Sequence, residues 1–172
     1  MTVDSSHLIN AARLGSPDAQ ADLFAAHWRE AWRTARAICG DDHRAEDIAQ
    51  DALIKALGAL DSYDRRRPFG AWLRRIVVNH ALNALRRDRR LTGLDDAATV
   101  AAQGKGAWEP GLAAAVRALP ADRRVVVTLR YGLDLTPPEI ADAMDLPVGT
   151  VHSRLARALG DLRQSLEVTD AR

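Results

Sequence analysis

The segment Thr136–Arg163, TPPEIADAMDLPVGTVHSRLARALGDLR, reads as two short helices joined by a tight turn. Thr136 is placed to cap the first helix, Pro137 suits its first turn, and Glu139 stands three residues after the cap, completing a capping-box pattern. Ile140, Ala141 and Met144 then recur at helical spacing. Asp145-Leu146-Pro147-Val148-Gly149 breaks the run, and Thr150 restarts it. In the second helix Val151, Leu155, Ala158, Leu159, Leu162 and Leu166 form an apolar stripe, leaving Gly149, Thr150, His152, Ser153, Arg154 and Arg157 mostly to the other faces. A second helix anchored on its apolar side, with short donors and arginines free, is what a helix-turn-helix offers a major groove.

The rest of the chain is helical as well. Of its 172 residues 47% are hydrophobic and 27% charged, a globular balance, and the 5% aromatic content makes any core aliphatic and alanine-rich, which favours helix. Val125-Val126-Val127-Thr128 is the one β-branched run, and its setting between Asp122-Arg123-Arg124 and Leu129-Arg130-Tyr131, with Gly132 as a stop, again predicts helix. Lone Cys39 cannot form an intramolecular disulfide and reads as a small buried hydrophobe, and five scattered histidines offer no metal-ligand spacing. No apolar run approaches the ~20 residues of a membrane span and no signal-peptide pattern opens the chain, so the expected compartment is the cytoplasm.

Upstream, a short helix over Ser5–Leu14 ends at Gly15, and Ser16-Pro17-Asp18 opens a second with Leu23, Phe24, His27, Trp28, Ala31, Ala35 and Ile38 as its stripe and Gly40 as its stop. Asp41-Asp42 opens the third, Arg44–Leu57, in which Ala45, Ile48, Ala49, Ala52, Leu53, Ala56 and Leu57 keep helical spacing. Its opposite face carries Glu46, Asp47, Gln50 and Asp51. First-turn acids serve the helix dipole, but Gln50 and Asp51 lie beyond its reach, so a partner-facing surface remains open.

A polar loop, Asp61–Pro68, leads into a fourth helix from Phe69 to about Arg90, with Phe69, Trp72, Leu73, Ile76, Val77, Ala81 and Leu85 on its core side. Arg75, Asn79, Asn83, Arg86 or Arg87, and Arg90 line another side. Between Arg65 and Arg90 nine arginines face the single acid Asp88, flanked by Tyr63, Phe69 and Trp72. Arginines beside stacking aromatics suit phosphates and unpaired bases better than mere solubility. From Leu91 to Trp108 the pattern dissolves into small residues, which predicts a flexible linker. The expected architecture is therefore all-α, with two small helical domains, 1–90 and 109–172, joined by a linker over 91–108.

At this level two segments resemble a known family. Ala45-Glu46-Asp47-Ile48-Ala49-Gln50-Asp51-Ala52 and Phe69-Gly70-Ala71-Trp72-Leu73-Arg74-Arg75-Ile76-Val77-Val78-Asn79 look like region 2 of bacterial sigma factors. Glu139-Ile140-Ala141 and Gly149-Thr150-Val151-His152-Ser153-Arg154-Leu155-Ala156-Arg157-Ala158 resemble region 4. Their order, with only a linker between, is similar to the extracytoplasmic-function group of the sigma-70 family, and the likeness covers about Leu8 to Leu166.

The resemblance implies that Glu46, Asp47, Gln50 and Asp51 contact core RNA polymerase through its beta-prime subunit, with beta as a further partner. It implies that Tyr63, Asp64, Arg65, Phe69, Trp72, Arg75, Asn79, Asn83, Arg86 and Arg87 meet the −10 element and hold a displaced base as the strands part. Asn83 stands where many members carry aspartate, and the Arg65-Arg66-Arg67 run is more basic than the family pattern. Gly149, Thr150, His152, Ser153, Arg154 and Arg157 would meet the −35 duplex, and an anti-sigma factor would regulate the protein. The implied molecule is a promoter-specificity subunit with no catalytic residues, cofactor, metal or membrane insertion. An ordinary dimeric helix-turn-helix regulator is the alternative, and it leaves the Ala45–Asp51 motif unexplained. An enzyme is disfavoured because His27, His43, His80 and His152 stand in separate segments with no paired acid, nucleophile or phosphate loop.

Overall fold

A computed structural model describes the backbone of residues 5–92 and 108–170, and the side chains of 6–87 and 108–167. Among the described residues the regular structure is all helical. The helices are α1 (Ser5–Arg13), α2 (Pro17–Cys39), α3 (Asp42–Gly58), α4 (Phe69–Thr92), α5 (Pro110–Ala118), α6 (Ala121–Val127), α7 (Pro137–Met144) and α8 (Val148–Asp170), with a short 3₁₀ turn at Leu60–Ser62.

The boundaries follow from local chemistry. The Ser16 side chain accepts from the Ala19 amide to start α2, and Gly40, at φ 80°, ends it by donating its amide to the Arg36 carbonyl. The carboxylate of Asp41 accepts from the Arg44 amide at 2.8 Å, which opens α3 at Asp42, two residues before the expected Arg44. α4 runs to Thr92, so the first two residues assigned to the linker are helical; of the rest, 93–107 lie outside the described residues and Trp108 is half-buried.

α1 to α4 pack around Leu23, Ile38, Cys39, Ile48, Leu53, Leu73 and Val77, each at most 4% exposed. Burying a branched aliphatic side chain of this size contributes about 1.5–3 kcal/mol, so the stripes, not local propensity, hold these helices in place. Val78, fully buried at 0%, belongs to this core as well, although it stands outside the expected stripe.

α5 to α8 form the second unit around Val116, Leu129, Ile140, Val151 and Ala158, each fully buried at 0%. The β-branched run is helical as expected, but after Val127 it widens into a π turn, Thr128–Gly132. Arg124 is 1% exposed, and its Nε and Nη2 donate to the Leu119 carbonyl at 3.2 and 2.9 Å, which ties the end of α5 to α6.

The two units are not held apart. α7 packs on α4, and the π turn packs on α2.

Candidate nucleic-acid interface

The loop before α4 is folded by its own bonds. The Tyr63 hydroxyl donates to the Arg67 carbonyl at 2.6 Å. The carboxylate of Asp64 receives the Arg66 amide at 3.0 Å and the Arg66 guanidinium at 2.8–3.1 Å. These bonds, the side-chain one first, hold the Asp64 carboxyl down at about 2, so it stays an acceptor at every physiological pH. Behind the loop Tyr63, Phe69 and Trp72 form a cluster with ring centroids 5.3–5.4 Å apart, and His27 of α2 lies 4.8 Å from Phe69. Burial pushes the His27 imidazole down and the Tyr63 phenol up.

Between this loop and α4 runs a cleft of about 590 Å³ lined by Ala59, Ser62, Asp64, Arg67, Trp72, Arg75, Ile76 and Asn79. Four of the expected −10 residues, Asp64, Trp72, Arg75 and Asn79, therefore meet in one concavity. Tyr63 and Phe69 back it: Phe69 is buried and Tyr63 half-buried. Arg65 is exposed on the loop, while Asn83, Arg86 and Arg87 continue along α4 outside the cleft, with Arg86 donating to Oδ1 of the Asn83 side chain at 3.2 Å. Reading the sequence alone leaves out Ala59, Ser62, Arg67 and Ile76 as cleft residues; the helical step from Trp72 to Ile76 was the available signal. The walls offer an aromatic ring and an aliphatic chain for stacking, an amide and two guanidinium groups for donors, and a carboxylate and a hydroxyl for acceptors. Such a cleft suits an unstacked base and its phosphate.

On α3, Glu46, Asp47, Gln50 and Asp51 are all exposed on one side of the helix. Gln50 borders an open cleft of about 550 Å³ with Phe24, Ala25 and Trp28, whose two aromatic rings stack 5.5 Å apart at 14°. Ile54, 55% exposed, extends the same helix face by one turn. An acidic surface with an apolar centre has the make-up of a protein-docking face. Asp51 Oδ2 also lies 3.4 Å from Nε2 of His80 on α4, and His80 Nδ1 lies 3.0 Å from Lys55 Nζ. Burial first, then the Lys55 charge, hold the His80 imidazole below its ordinary value.

The helix-turn-helix is built as its residues require. The Glu139 amide donates to Thr136 Oγ1 at 3.4 Å, and the Thr136 amide donates to Glu139 Oε2 at 2.8 Å, closing the capping box. The Thr136 amide first, then the Thr136 hydroxyl, which donates to the same Oε2 at 2.7 Å, hold the Glu139 carboxyl low. Asp145 takes the left-handed conformation, φ 55°, and α8 starts at Val148, two residues before the expected Thr150. Gly149, His152, Ser153 and Arg157 are exposed, Thr150 and Arg154 half-buried. Arg154 lies 3.5 Å from Asp122, so one candidate reader already has an anionic neighbour.

The two units meet through ions. Arg67 donates to Asp142 at 2.9 Å, Arg75 donates to Asp145 at 3.2 Å with Asp142 at 3.9 Å, and Arg74 lies 2.7 Å from Glu30 and 4.0 Å from Glu139. Of these residues Glu139 was expected only as the capping-box partner of Thr136, and Arg74, Asp142 and Asp145 were not among the candidate site residues.

Two family matches divide the chain at this boundary: residues 23–91 match Sigma-70 region 2 and residues 111–162 match Sigma-70 region 4. The chain is 30% identical to the ECF RNA polymerase sigma factor SigW of Bacillus subtilis, over 92% of this chain and 94% of that one. It is 36% identical to the ECF RNA polymerase sigma-E factor of Escherichia coli over 65% of this chain and 68% of that one. Among solved structures, CnrH in complex with the cytosolic domain of CnrY superposes with a TM-score of 0.64 at 26% identity, covering 94% of this chain and 96% of that one. The sigma factor RpoE bound to the anti-sigma factor NepR from Bartonella quintana shares the fold, with a TM-score of 0.65 at 23% identity, covering 86% of this chain and 96% of that one. The protein belongs to the extracytoplasmic-function sigma factors of the sigma-70 family, which direct bacterial RNA polymerase to promoters. Among the described residues no helix is long and apolar enough to cross a membrane.

Proposed function

We propose that this sigma factor divides promoter recognition between its two helical units, residues 1–90 and 109–172, and carries no catalytic activity of its own. The observation that carries this reading is the convergence of Asp64, Trp72, Arg75 and Asn79 on one cleft, on a different unit from the exposed face of α8.

The α3 face of Glu46, Asp47, Gln50 and Asp51 binds core polymerase through beta-prime, with Phe24 and Trp28 at its apolar centre; beta contacts the factor elsewhere. The cleft, with Tyr63 and Phe69 behind it and Arg65 at its rim, takes a base displaced from the −10 strand. Stacking on Trp72 and bonds from Asn79 and Arg75 replace the stacking lost in the duplex. Asn83, Arg86 and Arg87 follow the phosphates beyond it. Gly149, Thr150, His152, Ser153, Arg154 and Arg157 enter the −35 major groove, where an arginine that reads a guanine supplies about 1–3 kcal/mol of discrimination. An anti-sigma factor regulates the protein, a reading supported by the complexes in which CnrH and RpoE were solved. The protein works in the cytoplasm.

The test is retention of core RNA polymerase by the immobilised full-length protein. Wild type retains the core enzyme, and Asp47→Lys with Asp51→Lys loses it while circular dichroism stays unchanged. Failure of wild type to retain core enzyme refutes the proposal, and so does a charge-reversed protein that binds as well as wild type.

A further inference from the structure

We propose that His80 of α4 is a positioning residue for the polymerase-docking face of α3: it draws Lys55 onto its own ring and so keeps the Asp51 carboxylate open to a basic group of the partner. The inference rests on the docking reading of Glu46, Asp47, Gln50 and Asp51 above. It comes from where the Lys55 ammonium goes.

Asp51 and Lys55 stand one helical step apart on α3, acid first, the order and spacing that favour an ion pair within a helix. Lys55 reaches elsewhere. Its Nζ lies 3.0 Å from Nδ1 of His80, and the group that faces Asp51 Oδ2 is Nε2 of the same ring, at 3.4 Å. An ammonium only donates, so Nδ1 accepts. The ring is therefore neutral, with its proton on Nε2 and directed at Asp51. The imidazole stands between two charges of α3 that would otherwise meet.

The ring is held where the charges are not. The His80 side chain is 12% exposed against 65% for Asp51, and Lys55 is exposed as well. The charged groups acting on the ring are Lys55 and Asp51 of α3 and Arg87 of its own helix; with burial, the two cations keep it neutral. Its contact with Asp51 occupies one oxygen at 3.4 Å and leaves the rest of the carboxylate on the side that carries Asp47, Gln50 and Ile54. Without the ring, the Lys55 ammonium closes on Asp51 and cancels the charge that a basic group of the partner meets.

The test measures the affinity of the full-length protein for core RNA polymerase in the absence of DNA. His80→Ala should weaken binding by about two- to fivefold, the scale of one exposed ion pair. Lys55→Met should bind at least as tightly as wild type. Added to His80→Ala, it should recover that affinity, because no ammonium remains to close on Asp51. His80→Gln, whose amide accepts from Lys55 and donates to Asp51, should bind as wild type does. Nitrogen NMR shifts of the free protein at about pH 7.5 should show the His80 ring as the Nε2–H tautomer. An Nδ1–H ring overturns the proposal, and so does an affinity unchanged in His80→Ala. A loss that Lys55→Met does not recover also overturns it, since that is the mark of packing alone. The docking reading itself is judged by retention of core enzyme on wild type and its loss in Asp47→Lys with Asp51→Lys, so the two fail separately.

Discussion

Arg75 of α4 reaches Asp145, the left-handed residue that ends α7, with Nη2 3.2 Å from Oδ1. Asp145 thus combines a backbone conformation that favours glycine, at φ 55°, with a side chain that crosses between the units. Asp145→Gly should relieve the first and delete the second. The expected net is a gain of up to about 1 kcal/mol in urea unfolding at high salt, where the pair is screened, and a smaller gain at low salt. A gain that does not vary with salt would show that the pair contributes nothing.

Thr136 closes a reciprocal capping box with Glu139. Thr136→Ala should cost about 1 kcal/mol, with a range of about 0.5–2, because it frees the Glu139 amide at the start of α7. Glu139→Ala should lose the other half. Thermal melts of the two single variants and the double variant should show losses that are less than additive, since each change already breaks the shared box.

Arg157 is exposed on α8 and Asn79 lines the cleft on α4. Arg157→Ala should weaken initiation at promoters that depend on the −35 element and leave core binding intact. If Arg157 touches a phosphate, the slope of log affinity against log salt should fall by about one, uniformly across sequences. Asn79→Ala should instead leave duplex binding alone and reduce permanganate reactivity of thymines around −10. Equal losses of duplex binding in both variants, with no opening defect, would end this division of labour.

His27 and His80 both have imidazoles held below the ordinary value of about 6.5, His27 by burial and His80 by burial and then by Lys55. Glu30 opposes the shift at His27, and Asp51 opposes it at His80. The unfolded chain therefore binds more protons than the folded one as pH falls through 6.5, so stability rises with pH across that window and is lost toward acid. Urea midpoints should drop from pH 7.5 to pH 5.5, and ring resonances of both histidines should titrate below about 6.5. A midpoint flat with pH would contradict this.

Most of the fold was legible because its signals are local. The stripe of α3 and the Thr136–Glu139 box each fit within a few turns, and the structure realises both. The acidic side of α3 and the arginine-rich side of α4 were legible for the same reason. What was not legible depends on contacts far apart in sequence. The partners of Asp142 and Asp145 had no local signal, because their arginines lie 75 and 70 residues away. Arg75 was legible from its helical step to Asn79, and it lines the cleft with that residue, whereas the turn of Arg74 toward Glu30 rests on a partner 44 residues away. Phe24 and Trp28 obey the helical stripe and were assigned inward, yet their stacked rings line an open cleft with Gln50. Periodicity states which side of a helix is apolar; it does not state whether a neighbouring helix of the same chain covers it.

The loop from Tyr63 to Arg67 is held by the Tyr63 hydroxyl on the Arg67 carbonyl and by the Asp64–Arg66 fork, all within five residues. A loop left free would lose backbone and side-chain entropy when it closed on a strand, of the order of 1–2 kcal/mol for each residue fixed. Here that ordering is complete before any DNA arrives. More of the free energy gained on contact is then left over as affinity and selectivity, and a substitution that loosens the loop would weaken strand capture without removing a single contact to it.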